Sequence, residues 1–442
     1  MTIVFMFKKL TKNLEAYLDI SNLIDTSKMS LNNARYLQVL VCLLLFFTAF
    51  NYISNGIFGQ YLSKTYDYEL IYNAGKKIVD GNANKIYDEF LSYGPDKSSL
   101  MFMYPAVPGI VFAPLSLFEY NTAKFIMLLL TQAFVLISFL LLLRNLGPSL
   151  PRLEKIIMFF MFFNYYPSFL CFYMGQSEFF LLAFFCLFFY HFQKGNDIRS
   201  AFFLSLVIYF KIFPIFFLLY FLWKKEYRYS GILFAMLSVM GLLSLLVVDF
   251  QTQKQYFLHI LPFQALDSYP DHQCITGFFS RIFTSSQFTA GWIHNNFLKD
   301  LFVYSTTALV LFFTAKATRQ KLNRGDERYK YEFSILIVIM LLLSRITDTH
   351  HFVFLLIPFS YLLKYYLSKN KIDERAARDT SIMIFCYAVL ATYVPIIHRK
   401  YDWDVFAVFM QGIPILVLSV QFYVLVIFWL LCLRQLNNLN HE

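Results

Sequence analysis

The chain has 442 residues, of which 58% are hydrophobic and 15% charged, and its formal net charge is +10. This composition, with a mean hydropathy of +0.53, excludes a water-soluble fold, because soluble domains are about 45–50% apolar and about 25% charged. The Lys and Arg residues stand in short connectors between apolar runs, as in membrane topology signals, so no nucleic-acid partner is expected.

Apolar runs of about 17–25 residues recur along the whole chain, and this is the length that a helix needs to cross a bilayer. Backbone polar groups in lipid must be satisfied within each segment, so we predict an all-α, polytopic transmembrane helical bundle, one integral membrane domain over residues 1–442. The basic residues before the first run predict a cytoplasmic arm over residues 1–35. The first span then covers about residues 36–58 and leads outside.

Residues 59–120 are predicted to form the first external loop. Within it, Ile71, Ala74, Ile78 and Val79 recur at helical spacing, which predicts an amphipathic helix at the membrane interface. The apolar run 102–118 contains three prolines. The positive-inside rule makes the next run, 121–143, an inward span, so the run 102–118 must begin and end outside and cannot cross the membrane. We therefore predict juxtamembrane and re-entrant segments in this loop.

The run 199–223 is basic at both ends, with Lys211 in its middle and Pro214 three residues later. A straight span would bury the lysine at mid-membrane, at a cost of at least ~2.5 kcal/mol. We predict instead a broken hairpin that turns Lys211 toward an outward-facing cavity. This choice makes residues 249–297 the second external loop, gives about twelve spans and leaves both termini cytoplasmic.

The predicted topology gathers the unusual polar residues on the outer side, namely Asp67, Glu69, Gln176, Glu178, Lys211, Arg281, His350 and His351. A carboxylate, imidazoles and cations that face one pocket predict a general base beside an anion site. The alternatives are a solvated surface aspartate, a lysine that reaches the interface, and interfacial histidines. No further ligand stands at metal spacing from the histidines, so no metal or cofactor is predicted, although a divalent metal that bridges a phosphate is left open.

Six short segments carry a family resemblance: Asp67-Tyr68 through Gly81 to Tyr87-Asp88, Phe102-Met103-Tyr104-Pro105, Gly175-Gln176, Lys211-Ile212-Phe213-Pro214, Gln273 through Gly277 to Arg281, and Ser344 through His350-His351. In this order they are similar to motifs of the polyprenyl-phosphate-dependent glycosyltransferases of family 87, which belong to the multispanning GT-C class. The sequence departs from the family pattern where Ala106 and Ile212 replace prolines and where His272 and Cys274 replace Asn and Ser. The tryptophan of the His-His segment is also absent.

The resemblance implies a bundle of GT-C type with external juxtamembrane helices in the plasma (inner) membrane. It implies an inverting enzyme that moves mannose or a similar sugar from a polyprenyl-phosphate-sugar donor to a lipid- or glycan-linked acceptor on the extracytoplasmic face. Asp67 matches the catalytic aspartate, and we nominate Lys211, Arg281, His350 and His351 to bind the donor phosphate. The substrate pocket is expected to contain Tyr68, Glu69, Tyr104, Gln176 and Gln273, with Glu69 pointing away from Asp67 if the segment is extended.

Two other functions stay open. A transporter or flippase of a lipid-linked glycan would use the broken helix at Lys211 as a binding site, although the chain has no convincing internal repeat. An enzyme of another lipid-phosphate class, such as a phosphotransferase, is the third possibility. In each case membrane lipids are expected partners.

Overall fold

The computed structural model describes residues 31–93, 101–147, 150–263, 268–286, 289–367, 374–392 and 413–441. All regular elements among these residues are helices. Most of the predicted N-terminal arm, and the stretch between the last two predicted spans, lie outside the described residues.

We number the helices α1 to α18 in chain order. They are α1 (Leu31–Asn51), α2 (Tyr66–Val79), α3 (Asp88–Tyr93), α4 (Ala106–Phe112), α5 (Tyr120–Leu146), α6 (Arg152–Phe163), α7 (Tyr166–Met174), α8 (Glu178–Gln193), α9 (Asp197–Phe210), α10 (Phe216–Trp223), α11 (Tyr227–Leu245), α12 (Phe250–Gln255), α13 (Ile275–Phe283), α14 (Asn296–Ala317), α15 (Arg328–Leu343), α16 (Leu356–Leu367), α17 (Glu374–Ala391) and α18 (Val420–His441). Short 3-10, π or α turns extend or connect them at Tyr52–Phe58, Gly59–Leu62, Ala83–Lys85, Ala113–Leu117, Phe213–Ile215, Tyr256–Ile260, Leu261–Phe263, Thr349–Leu355 and Ile413–Ser419.

Five helices in the described part of the chain are long and apolar enough to cross a membrane: Val39–Leu62, Tyr120–Leu146, Tyr227–Leu245, Asn296–Ala317 and Ile415–Asn440. The pair α6 and α7, bent by 41°, makes a sixth if it acts as one span. The all-helical membrane fold is thus confirmed, whereas the expected count of about twelve spans is not. Several apolar runs form helices such as α8 and α15, with 16 residues each, where a span needs about 20.

Helix α8 is the centre of the bundle. None of its residues is exposed, and it packs against α5, α9 and the turn Thr349–Leu355. Phe188 and Phe189 lie 5.4 and 4.9 Å, between ring centroids, from Phe333 of α15. A helix that is apolar on all sides is stable only when protein surrounds it. Its first residue, Glu178, is therefore carried into the interior.

Residues 59–120, the predicted first external loop, contain the helix that their hydrophobic spacing predicts. Tyr68, Ile71 and Ala74 are buried on one face of α2, which packs against α4 and the following 3-10 turn. A Cβ on Gly75 would lie 2.5 Å from Ser116 Oγ, so only glycine allows this close approach. The segment Ala106–Leu117 is a short apolar helix, too short to span a bilayer alone.

The predicted break in the run 199–223 is present. Helix α9 ends at Phe210, Lys211 has extended backbone angles (φ −144°, ψ 124°) and Pro214 lies in a 3-10 turn before α10. Proline lacks the N–H that would continue the helical hydrogen bonds, and its ring clashes with the preceding turn. The break directs the Lys211 side chain into the interior, where only 7% of its surface is exposed.

Candidate functional site

Asp67 lies in the first turn of α2, against the turn that joins α7 to α8. Gln176 in that turn donates from Nε2 to Asp67 Oδ2 over 2.6 Å. Gly175 has a positive φ of 71°, and a Cβ on it would lie 2.7 Å from Tyr68 Cβ and 2.9 Å from Thr65 Cβ. Glycine at position 175 therefore permits both the turn and the close packing that brings Gln176 to the carboxylate.

Burial raises the pKa of Asp67 to about 7, against the lowering effects of Lys211 and the Gln176 hydrogen bond. The nearby carboxylates of Glu178 and Asp348 raise this pKa further. Tyr104 donates from its hydroxyl to Gln176 Oε1 over 3.4 Å, which orients the amide. A partly exposed carboxylate with a pKa close to neutral pH has the properties of a general base.

A second group lies at the start of α8, where three nitrogens surround Glu178 Oε1. Lys211 Nζ donates to this oxygen, and the Nε2 atoms of His350 and His351 lie 3.5 and 3.8 Å from it. All four side chains are buried, and Glu178 has no exposed surface. Lys211 Nζ also lies within hydrogen-bond distance of His351 Nε2, at 2.8 Å.

His351 has a polar contact at each ring nitrogen. The Asp348 N–H donates to Nδ1 over 3.0 Å, and Nε2 lies 2.8 Å from Lys211 Nζ. Burial, followed by the charge of Lys211, lowers the pKa of both His350 and His351 well below the usual value. Both rings are therefore neutral at physiological pH, and the His351 ring is fixed between the Asp348 backbone and Lys211.

Glu178, His350 and His351 also form the group best suited to a metal among the described residues, with ligand atoms all within 4.8 Å of one another. Two imidazoles and a carboxylate suit zinc in type. A metal at this position would however meet Lys211, which donates to the same Glu178 oxygen and lies 2.8 Å from His351 Nε2. The arrangement fits an anion better than a cation.

The two groups adjoin each other, because Gln176 and Glu178 belong to the same turn. The structure thus brings together Asp67, Tyr104, Gln176, Lys211, His350 and His351 from the residues nominated on sequence. It adds Asp348, and it places Glu178, which the sequence analysis grouped with these residues without giving it a role, at the centre of the second group. The available signal for Glu178 was its position as a carboxylate directly before a run of apolar residues, a position equally typical of a solvated turn.

Arg281 and Gln273 form their hydrogen bonds with backbone groups and a serine hydroxyl, not with Glu178 or Asp67. Arg281 donates to Ser419 Oγ over 2.8 and 3.1 Å and to the carbonyls of Tyr269 and His272. Gln273 donates to the carbonyls of Pro270 and Leu418 and accepts the Phe422 N–H. These contacts fasten residues of the predicted second external loop to the start of α18 and the turn before it, and they satisfy loop carbonyls that are buried in protein.

Tyr68 and Glu69 do not reach Gln176 or Lys211 in the described contacts. The segment is helical, so the conditional expectation of an extended chain is wrong, yet Glu69 still points away because two residues along a helix turn by about 200°. Glu69 is exposed. Tyr68 is buried, with its ring 6.2 Å from Tyr120 and 6.4 Å from Tyr72.

The comparison with known families agrees with the resemblance found on sequence. The chain matches the model of glycosyltransferase family 87 over residues 102–344, more than half of its 442 residues. The matched range includes Gln176, Glu178 and Lys211, while Asp67 and the two histidines lie outside it. No curated protein matches the chain. The chain belongs to glycosyltransferase family 87, and it transfers a sugar from a donor to an acceptor.

Proposed function

We propose that this enzyme is an inverting hexosyltransferase. It moves mannose or a similar sugar from a polyprenyl-phosphate-sugar donor to a lipid- or glycan-linked acceptor at the extracytoplasmic face of the plasma membrane. The observation that carries the proposal is the Asp67 carboxylate, with a pKa of about 7, beside a buried lysine and two imidazoles. A base and an anion site in one place are what this reaction needs.

Asp67 is the base in this proposal. Gln176 holds its Oδ2, and Oδ1 takes the proton of the acceptor hydroxyl as that oxygen attacks the anomeric carbon. The bond from the anomeric carbon to the phosphate oxygen breaks on the opposite face of the sugar, so the configuration inverts. The lipid phosphate leaves as an anion and needs no general acid.

The negative charge that develops on the phosphate is stabilised by Lys211, His350 and His351. An ammonium and N–H groups in a buried site act more strongly than in water, because little solvent screens them. Arg281 contributes through the loop that it fastens, since its guanidinium already donates to Ser419 and two carbonyls. Tyr104 and Gln176 line the pocket between the base and the anion site.

The contacts among the connectors support an extracytoplasmic site and cytoplasmic termini. Arg324 forms ion pairs with Asp197 and Glu226 at 3.4 and 3.2 Å, and Lys224 donates to the Thr318 carbonyl over 3.0 Å. These residues come from three connectors that the charge rule assigns to the cytoplasm, and they meet one another. The candidate site contains residues from segments assigned to the outside. The connectors assigned to the cytoplasm thus contact one another, and the segments assigned to the outside contact one another, as the predicted topology requires.

The test is transfer of labelled sugar from a panel of polyprenyl-phosphate sugars by the purified enzyme, with mass spectrometry of the released lipid phosphate. Asp67→Asn keeps the hydrogen-bonding shape but removes the base, so we expect a rate loss of about 10²–10⁴-fold. Asp80→Asn, at the other end of α2, is the matched control and should keep normal turnover. Retained turnover in Asp67→Asn would remove this carboxylate from the mechanism.

The same experiment separates the other function classes. Movement of an unchanged lipid-linked sugar across sealed vesicles would identify a transporter. A phosphate added to the acceptor, detected by its mass, would identify a phosphotransferase.

A further inference from the structure

Three nitrogen atoms lie around one protein oxygen in the candidate site. Lys211 Nζ, His350 Nε2 and His351 Nε2 surround Glu178 Oε1, the last two at 3.5 and 3.8 Å. The other carboxylate oxygen, Oε2, is buried and has no hydrogen-bond partner within the described part of the chain. The carboxylate thus fills the centre of a donor set through a single oxygen.

The hydrogens on these nitrogens point to an anion-binding site. His350 Nε2 is the nearer imidazole nitrogen to Glu178 Oε1, at 3.5 Å. Its Nδ1 is buried without a partner among the described residues, so the ring proton is best placed on Nε2, on the side of the carboxylate. His351 Nε2 lies 3.8 Å from the same oxygen and 2.8 Å from Lys211 Nζ, so this ring holds the lysine beside the carboxylate. Ammonium and imidazole N–H groups around one oxygen are the groups that bind a phosphate oxygen.

We propose that Glu178 is an internal substitute for the donor phosphate: its carboxylate occupies the anion site in the free enzyme, and the phosphate displaces it on binding. The identity of the anion as a donor phosphate rests on the proposed function. The site accepts phosphate monoesters and diesters, whereas neutral glycolipids cannot displace a carboxylate from the Lys211 ammonium.

The pairing of Glu178 with Lys211 also neutralises a buried charge in the free enzyme. Lys211 is 7% exposed and stands in an apolar run, where an unpaired cation is unfavourable. Glu178 neutralises it until an anion arrives. The phosphate then takes over the same donors, and the two anions cannot share them because like charges at contact repel strongly in a buried site.

The test measures binding of farnesyl phosphate and of inorganic phosphate to purified enzyme in detergent by isothermal titration calorimetry. Glu178→Gln removes the competing charge and keeps the size of the side chain, so we expect farnesyl phosphate to bind at least about tenfold more tightly than to the native enzyme. Glu178→Ser provides the same measurement if the glutamine variant does not fold. Tighter binding of farnesyl phosphate than of inorganic phosphate identifies the lipid-linked source.

Glu332→Gln is the matched control, because Glu332 is also a buried carboxylate paired with a lysine. It should leave the affinity for farnesyl phosphate unchanged, and Lys211→Met should weaken it. Equal or weaker binding by the Glu178 variants would overturn the inference and make Glu178 a residue that positions the donors. Stoichiometric Zn²⁺ binding by the native enzyme that is lost in Glu178→Gln would also overturn it. A failure of sugar transfer would instead count against the proposed function, since these titrations require no turnover.

Discussion

Gln176 should control the pH at which Asp67 works. Its Nε2 donates to the carboxylate over 2.6 Å, and this hydrogen bond stabilises the ionised form and lowers the pKa of Asp67. Gln176→Leu keeps the approximate volume and removes the donor. The ionised form then loses its partner, while the protonated form loses much less.

The magnitude follows from the strength of such a bond. A hydrogen bond to a charged group contributes about 1.5–3 kcal/mol, and one pKa unit corresponds to about 1.4 kcal/mol. The pKa of Asp67 should therefore rise by about 1–2 units from its value of about 7. A general base works only when deprotonated, so the rate falls as the pH drops below this pKa.

The assay is the initial rate of sugar transfer over a pH series at fixed donor concentration. In the native enzyme the rate should decline below about pH 7, and in Gln176→Leu the same decline should begin about 1–2 pH units higher. Gln132→Leu is the control, because Gln132 donates to Gln60 over 3.0 Å and does not contact Asp67. An unchanged or more acidic profile in Gln176→Leu would refute the reasoning.

Two further predictions concern residues outside the reacting pocket. Lys224 Nζ lies 3.0 Å from both carboxylate oxygens of buried Glu332. Lys224→Met leaves that carboxylate unpaired and should lower the free energy of unfolding by about 3–5 kcal/mol. Thermal unfolding in detergent measures this loss, and an unchanged midpoint would contradict the prediction. Arg281→Lys keeps the charge but cannot reproduce the hydrogen bonds of a guanidinium, so proteolysis of the second external loop should accelerate while farnesyl phosphate affinity stays normal. Weaker binding with unchanged proteolysis would instead make Arg281 a phosphate ligand.

The sequence predicts Lys211 well because its physical problem is local. An ionisable side chain in an apolar run must find a partner or a function, and the following Pro214 marks the break that turns it inward. Its partner Glu178 lies 33 positions away, and no local rule connects the two. A carboxylate at the edge of an apolar run also suits a solvated turn, so only the three-dimensional packing reveals its role.

Arg281 illustrates the opposite limit. Its position in a motif-like external segment suggested a phosphate ligand, but the acceptors that it uses are the carbonyls of Tyr269 and His272 and the hydroxyl of Ser419. Every residue has a backbone carbonyl, so the sequence does not show which carbonyls will accept a hydrogen bond from Arg281. Hydrogen bonds of this kind appear only when the loop conformation is known.

The expected count of about twelve spans is not confirmed among the described residues, where five helices, or six with the bent pair, are long and apolar enough to cross a membrane. Hydropathy measures the length of an apolar run but not the length of the helix within it. The run that contains Lys211 holds two helices with a break between them, and α6 and α7 are bent by 41°. Phe185 and Phe188 pack against other protein side chains. Their hydropathy is the same as that of a lipid-facing phenylalanine, so hydropathy does not distinguish contact with lipid from contact with protein.

The enclosure of α8 has a consequence for how the enzyme responds to its bilayer. Helices in contact with lipid adjust their tilt when the hydrocarbon layer becomes thicker or thinner. None of the residues of α8 is exposed, so neighbouring helices fix its inclination. We expect acyl-chain length to alter how readily a lipid-borne donor enters, while the spacing between Glu178 and its nitrogen partners stays constant.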